Sequence, residues 1–147
     1  MQTGGHFLVT FYKLPPGDKL IAFEALLTLI GVEVVLHLLP YRSWRGALEA
    51  PAPGATTPPS TATLQTARRV GRMVAAVARR LPGRPQCLAQ ALAARRMLKR
   101  RGIAAELNLG VSNERAAINA HAWLAVGKLI VTGGPDVSGF SAFGKPA

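Results

Sequence analysis

The longest apolar run in the chain, LIAFEALLTLIGVEVVLHLL at residues 20–39, follows Pro15, Pro16, Gly17 and Asp18 and is stopped by Pro40. Apolar length between such breakers predicts a helix over 18–39, with Asp18 as its N-cap. A bilayer span needs about 20 nearly uncharged apolar residues. Glu24, Glu33 and His37 interrupt this run, so a core or interface helix is the first expectation and a membrane-surface helix the second. Farther on, Leu64, Ala67, Val70, Val74, Ala75 and Ala78 recur at helical spacing, while Arg68, Arg69, Arg72, Arg79 and Arg80 fall mostly on other faces. That pattern predicts an amphipathic helix over 64–81, broken by LPGRPQ. A further helical pattern starts at Cys87 and ends at Gly102, a C-cap preceded by basic residues in the last turn.

Beyond Gly102 the period changes from 3.6 to 2. Leu107, Leu109 and Val111 alternate with Glu106, Asn108 and Gly110, which predicts a half-buried strand. SNERAAIN at 112–119 reads as a loop. Two short strands follow, His121 to Val126 and Leu129 to Thr132, joined by Gly127 and Lys128 as a two-residue type II′ turn with glycine first. Alternation puts His121 and Trp123 on one face. The last stretch, GGPDVSGFSAFGKPA, reads as loop. Residues 50–63, APAPGATTPPSTAT, carry no charge and no periodicity, which is the composition of a linker. The predicted organisation is therefore an N-terminal helical segment (1–49), a linker (50–63) and a compact core (64–147), with helices before strands in an α+β order.

Composition narrows the function. Lys and Arg number 18 against 7 Asp and Glu, a formal charge of +11 that attracts anionic partners of any kind. Yet aromatic residues make up only 6%, and no zinc spacing, aromatic nucleotide-binding motif or glycine-rich phosphate loop accompanies the charge. No cofactor or metal is expected. A single cysteine excludes an intramolecular disulfide, and Met1 to Tyr12 lacks the features of a signal peptide, so a reducing cytoplasm is expected.

Cys87 at a helix start lies where partial positive charge and free backbone N–H groups favour a thiolate. His121 on a strand could serve as its base if a third group held the ring. Each residue alone also fits a structural role, a buried thiol and a satisfied histidine. The order of helix-start cysteine, strand, histidine-bearing strand and later acid is what raises the catalytic reading.

The segment PQCLAQALAARRMLKRRGIAAELNLGV, followed by AHAWLAVGKLIV, resembles the transglutaminase-like leader peptidases of lasso-peptide biosynthesis. The resemblance runs from Leu64 to about Phe143. In addition, LPPGDKLIAFEALLTLIGVEVVLHLLPYRSWRGAL is similar to the helical segment that precedes the core in those proteins. It implies a papain- or transglutaminase-like core of helices on a small antiparallel sheet, with Cys87 as nucleophile and His121 as base. The family's pattern has an aspartate about a dozen residues after the histidine, where this chain has Gly133. Asp136, the only acidic residue after His121, is the nominated orienter, with turn former as its alternative role. An oxyanion would be met by the backbone N–H of Cys87, and the Gln86 amide is a second candidate whose plainer reading is an exposed loop residue. Trp123 is read as core or as a wall of the site.

The resemblance also implies a precursor peptide carrying a leader, a separate leader-binding protein, and a distinct ATP-using macrolactam cyclase acting afterwards. The cationic helices and N-terminal apolar residues are a surface that could dock that leader-binding partner, although the plainer reading of the Arg-rich faces is an ordinary solvated helix surface. Two rival readings remain at the level of sequence: a basic nucleic-acid-binding module without catalysis, and a membrane-surface adaptor resting on the 18–39 helix.

Overall fold

The computed structural model describes residues 14–49, 57–114, 117–134 and 141–142. Helix α1 runs Pro16–Leu38 and α2 Tyr41–Glu49, followed by α3 Thr61–Ala78 and α4 Cys87–Arg100. Four strands follow: β1 Glu106–Glu114, β2 Ala117–Val126, β3 Leu129–Thr132 and β4 Ser141–Ala142. They form one antiparallel sheet in the order β3-β2-β1-β4, against which α3 and α4 pack. The architecture is α+β, as the order of periodicities predicted.

Several details differ from the sequence reading. Pro15 is the N-cap of α1 and a proline occupies its first turn, so Asp18 lies inside the helix. Proline tolerates that position because its missing N–H would have no helical partner there. Asp18 instead pairs with Arg69 of α3. Helix α3 begins at Thr61, capped by the Ser60 hydroxyl accepting from the Thr63 N–H at 3.1 Å, so the end of the predicted linker is helical. The described residues of the SNERAAIN stretch are strand rather than loop: β1 and β2 continue in register to Glu114 opposite Ala117. Once Leu107 and Leu124 are paired, each further residue closes ladder hydrogen bonds, and polar side chains do not prevent it. Ser141 and Ala142 likewise form a short edge strand beside Val111 and Gly110, inside the stretch read as loop.

Other expectations match. Gly127 has φ +58° while Lys128 stays out of the left-handed region, as a type II′ turn requires. Helix α4 ends in a Schellman arrangement, with the N–H of Ile103 donating to Leu98 O and that of Gly102 to Lys99 O, each at 3.0 Å.

One apolar cluster unites the segments on either side of the linker. It takes Ala22, Ala25 and Leu29 from α1, Val70 and Val74 from α3, Met97 and Leu98 from α4, and Ala122, Leu124 and Val126 from β2. Small residues let the layers close up. Gly71 of α3 lies so near β3 that a Cβ there would come within 2.2 Å of the Val131 carbonyl oxygen. By length and composition α1 could cross a membrane, but its buried face, Ala22, Ala25, Thr28 and Leu29, is packed in this fold.

A polar clamp fixes α1 to the end of α4. Arg101 donates Nη2–H to Glu24 Oε2 at 2.6 Å and Nη1–H to Oε1 at 3.1 Å, and Arg100 reaches Oε1 at 3.3 Å. The Arg101 hydrogen bond is the main cause holding the Glu24 carboxyl below the usual carboxylate range, with burial opposing it. Because the folded-state value is depressed, the clamp's stabilisation is present at neutral pH and is lost as pH falls through that value. Denaturant titrations should show wild type above Glu24→Gln by about 1 kcal/mol or less at pH 7. The gap should close on acidification below roughly pH 4; a gap independent of pH would remove the clamp.

Candidate active site

The approach to Cys87 is a turn built by its sequence. Arg84 N–H donates to Leu81 O at 3.2 Å around Pro82 and Gly83, and Gly83 has φ +78°, the arrangement of a type II turn. Pro85 is buried, and the Gln90 side-chain amide donates to its carbonyl at 2.8 Å, tying the end of the turn to the first turn of α4. Cys87 is thus the first residue of α4, half-buried and a free thiol. At that position the backbone N–H groups of the first turn have no helical acceptor and point out of the helix end. Gln86 is the N-cap, exposed, and its side chain makes no capping bond. Gln90, which sequence reasoning did not single out, buttresses the segment that presents the thiol.

His121 lies on β2 opposite Gly110, half-buried, with Trp123 two residues along on the same face. Their rings stack at 6.2 Å between centroids and 21° between planes. Trp123 is 6% exposed, so it is core and at the same time a wall against the imidazole. Helix α4 packs on β2 and thereby sets the element carrying Cys87 against the strand carrying His121. The connection through Ile103 to Ala105 ties the C-terminal end of α4 to Glu106, opposite Ala125. Cys87 is at the other end of the helix, and His121 lies along the pair away from that connection.

The imidazole has a definite partner. His121 Nε2 lies 2.6 Å from the carbonyl oxygen of Gly133. A carbonyl only accepts, so Nε2 carries the hydrogen and donates it, which makes Nδ1 the basic nitrogen of the neutral ring. Gly133 reaches this place because it has no side chain. Its φ is +103°, and a Cβ would come within 2.4 Å of Trp123 Cβ and 3.0 Å of the Ala122 carbonyl oxygen. No aspartate fits at 133 in this backbone, and a main-chain oxygen meets the ring instead. Asp136, the nominated orienter, lies outside the described residues. The sequence signal for the Gly133 contact was the Gly-Gly pair directly after β3, which reads as a turn rather than as an acceptor.

A model of the transglutaminase-like superfamily matches residues 26–143, most of the chain, including Cys87 and His121. The chain belongs to the transglutaminase-like superfamily. No curated protein and no solved structure gives a significant match. Transglutaminase-like proteins are commonly cysteine-dependent hydrolases or transferases, a chemistry that needs a thiol and an imidazole of the kind carried by α4 and β2. Among the described residues no group of His, Cys, Asp or Glu could hold a metal ion.

In nitrogen-detected NMR, the neutral His121 ring of the wild type is expected in the Nε2–H tautomer. Gly133→Ala, which must move the carbonyl away, should lose that preference. An Nδ1–H ring in the wild type would contradict the assignment.

Proposed function

We propose that this transglutaminase-like protein is a cysteine peptidase that removes the leader from a ribosomally made lasso-peptide precursor. What supports the reading is a helix-start thiol on one element and a histidine whose Nε2–H is already engaged on another, the two elements packed together in a chain of this superfamily. The resemblance of PQCLAQALAARRMLKRRG and AHAWLAVGKLIV to leader peptidases supplies the substrate class.

In this reading the Cys87 thiol gives its proton to His121 Nδ1, and the sulfur attacks the carbonyl carbon at the leader–core junction. The negative charge developing on the carbonyl oxygen is met by backbone N–H groups at the start of α4, that of Cys87 first. Collapse breaks the C–N bond as His121 returns the proton to the departing amine, and the core peptide leaves with a free N-terminus. The leader remains as a thioester on Cys87. Water, deprotonated by His121, hydrolyses it and restores the thiol, so the cycle balances without a cofactor. Gly133 holds the ring by its carbonyl, and Gln86 is left a minor role or none, since its exposed side chain makes no bond at the helix start.

The partners in this proposal are the precursor, a separate leader-binding protein that presents it, and an ATP-using cyclase that consumes the free amine. The compartment is the cytoplasm. Leader cleavage followed by mass spectrometry tests the reading, with a precursor and leader-binding protein encoded nearby. Cys87→Ala and His121→Ala should each lower the rate by about a thousandfold or more, and Asp136→Asn separates a residue that orients the ring from one that only forms a turn. Cleavage that survives Cys87→Ala would overturn the mechanism.

A further inference from the structure

A groove of about 650 Å³ opens between α1 and α4. Its α1 wall is apolar, with Leu27, Val32, Val35 and Leu36, and Trp44 of α2 lies at one end. Apolar exposure continues beyond it along α1. Leu20, Phe23, Leu27, Ile30, Val34 and Leu38 follow at spacings of three and four, and Leu27 alone is 55% exposed. Such a face is as regular as a core-facing stripe, yet it is left open to water.

The α4 wall has the opposite character. Arg95, Arg96, Lys99 and Arg100 line it beside Leu92, in two adjacent pairs one helical turn apart. Arg100 reaches Glu24; Arg96 and Lys99 are exposed and make no ion pair among the described residues.

Two further observations point to something that enters. The indole Nε1 of Trp44 is buried with no hydrogen-bond partner among the described residues, a donor whose desolvation is uncompensated. Gly31 lines the groove in the middle of α1, and a Cβ there would meet nothing within 4 Å. Glycine inside a helix costs about 1 kcal/mol relative to alanine, and no neighbour within this chain calls for it. A notch of this kind suits the close approach of another backbone.

We propose that the groove between α1 and α4 docks a short amphipathic helix of a partner protein, apolar on one face and acidic along one edge. From Glu24 to Leu36 the groove is about 18 Å long, the length of three helical turns. Apolar side chains of the guest cover the Leu27–Val35 wall, its carboxylates meet Arg96 and Lys99, and its backbone passes over Gly31. Charge selects the guest: a second copy brings another +11 and is repelled, whereas an acidic segment is attracted. A bilayer would lie on the outer stripe without entering the notch. Cys87 is at the other end of α4, about 18 Å from Lys99 along the helix, so the guest binds apart from the thiol, and the proposal stands whether or not the chain is a peptidase.

The test uses the full chain and two synthetic 18-residue helical peptides with the same leucine stripe, one flanked by glutamates and one by lysines. Binding is followed by calorimetry and by the indole N–H resonance of Trp44. The glutamate peptide should bind and move that resonance. Gly31→Leu, which fills the notch while improving helix propensity, should weaken binding about tenfold or more without lowering the melting temperature. Arg96→Glu with Lys99→Glu should do the same, whereas Arg68→Glu with Arg72→Glu, an equal charge change on α3, should not. No binding, equal binding of both peptides, or indifference to Gly31→Leu would overturn the proposal. So would self-association in sedimentation that Gly31→Leu abolishes, or flotation with anionic vesicles that Gly31→Leu leaves unchanged.

Discussion

The hydrogen bond from His121 Nε2 to the Gly133 carbonyl, 2.6 Å long, fixes which nitrogen of the imidazole is basic, and it depends on steric room. Gly133 sits where any side chain would collide with Trp123, so the approach of this segment to β2 is possible only for glycine. Gly71 solves the same problem on the other side of β2's neighbour, letting α3 settle against the Val131 carbonyl. With both contacts made, the helices close on the sheet at a spacing that small residues such as Ala91, Ala93, Ala94 and Ala122 can fill. The alanine-rich α4 is the consequence: a helix that carries Cys87 at its start and lies close to the strand bearing His121 has little room for large side chains on its buried face.

Elements with a strong period were legible in the sequence. The apolar run of α1, the stripe of α3, the helix beginning at Cys87 and the Gly127–Lys128 turn all announce themselves through local chemistry. What was not legible depended on long-range pairing. Asn113 and Glu114 do not favour a strand, and they join one because β1 and β2 are already aligned at Leu107 and Leu124. Asp18 looked like a cap because its type commonly caps, whereas Arg69, 51 residues away, takes its carboxylate. In the site, Cys87 and His121 could be nominated by residue type and order. The Gly133 carbonyl could not, since a main-chain acceptor has no residue type to betray it.

The charge of the chain is divided by geometry into two uses. Arg69, Arg100 and Arg101 hold elements together through Asp18 and Glu24, and these contacts make α1 part of the fold rather than a detached segment. Arg96 and Lys99 face an apolar groove beside the uncovered stripe of α1. One face of α1 lies in the core and the opposite one is open, so burial within the described fold accounts for only part of the apolar run at 20–39.

The central claim is that the fold makes Cys87 and His121 one chemical unit, and the most direct measurement is the rate at which iodoacetamide alkylates Cys87 at neutral pH in wild type and His121→Ala. Since the chain has one cysteine, the labelling reports that thiol alone. The account predicts alkylation about tenfold faster in the wild type than in the variant, because only the wild type has an imidazole to take the thiol proton. Equal rates in two folded proteins would contradict it.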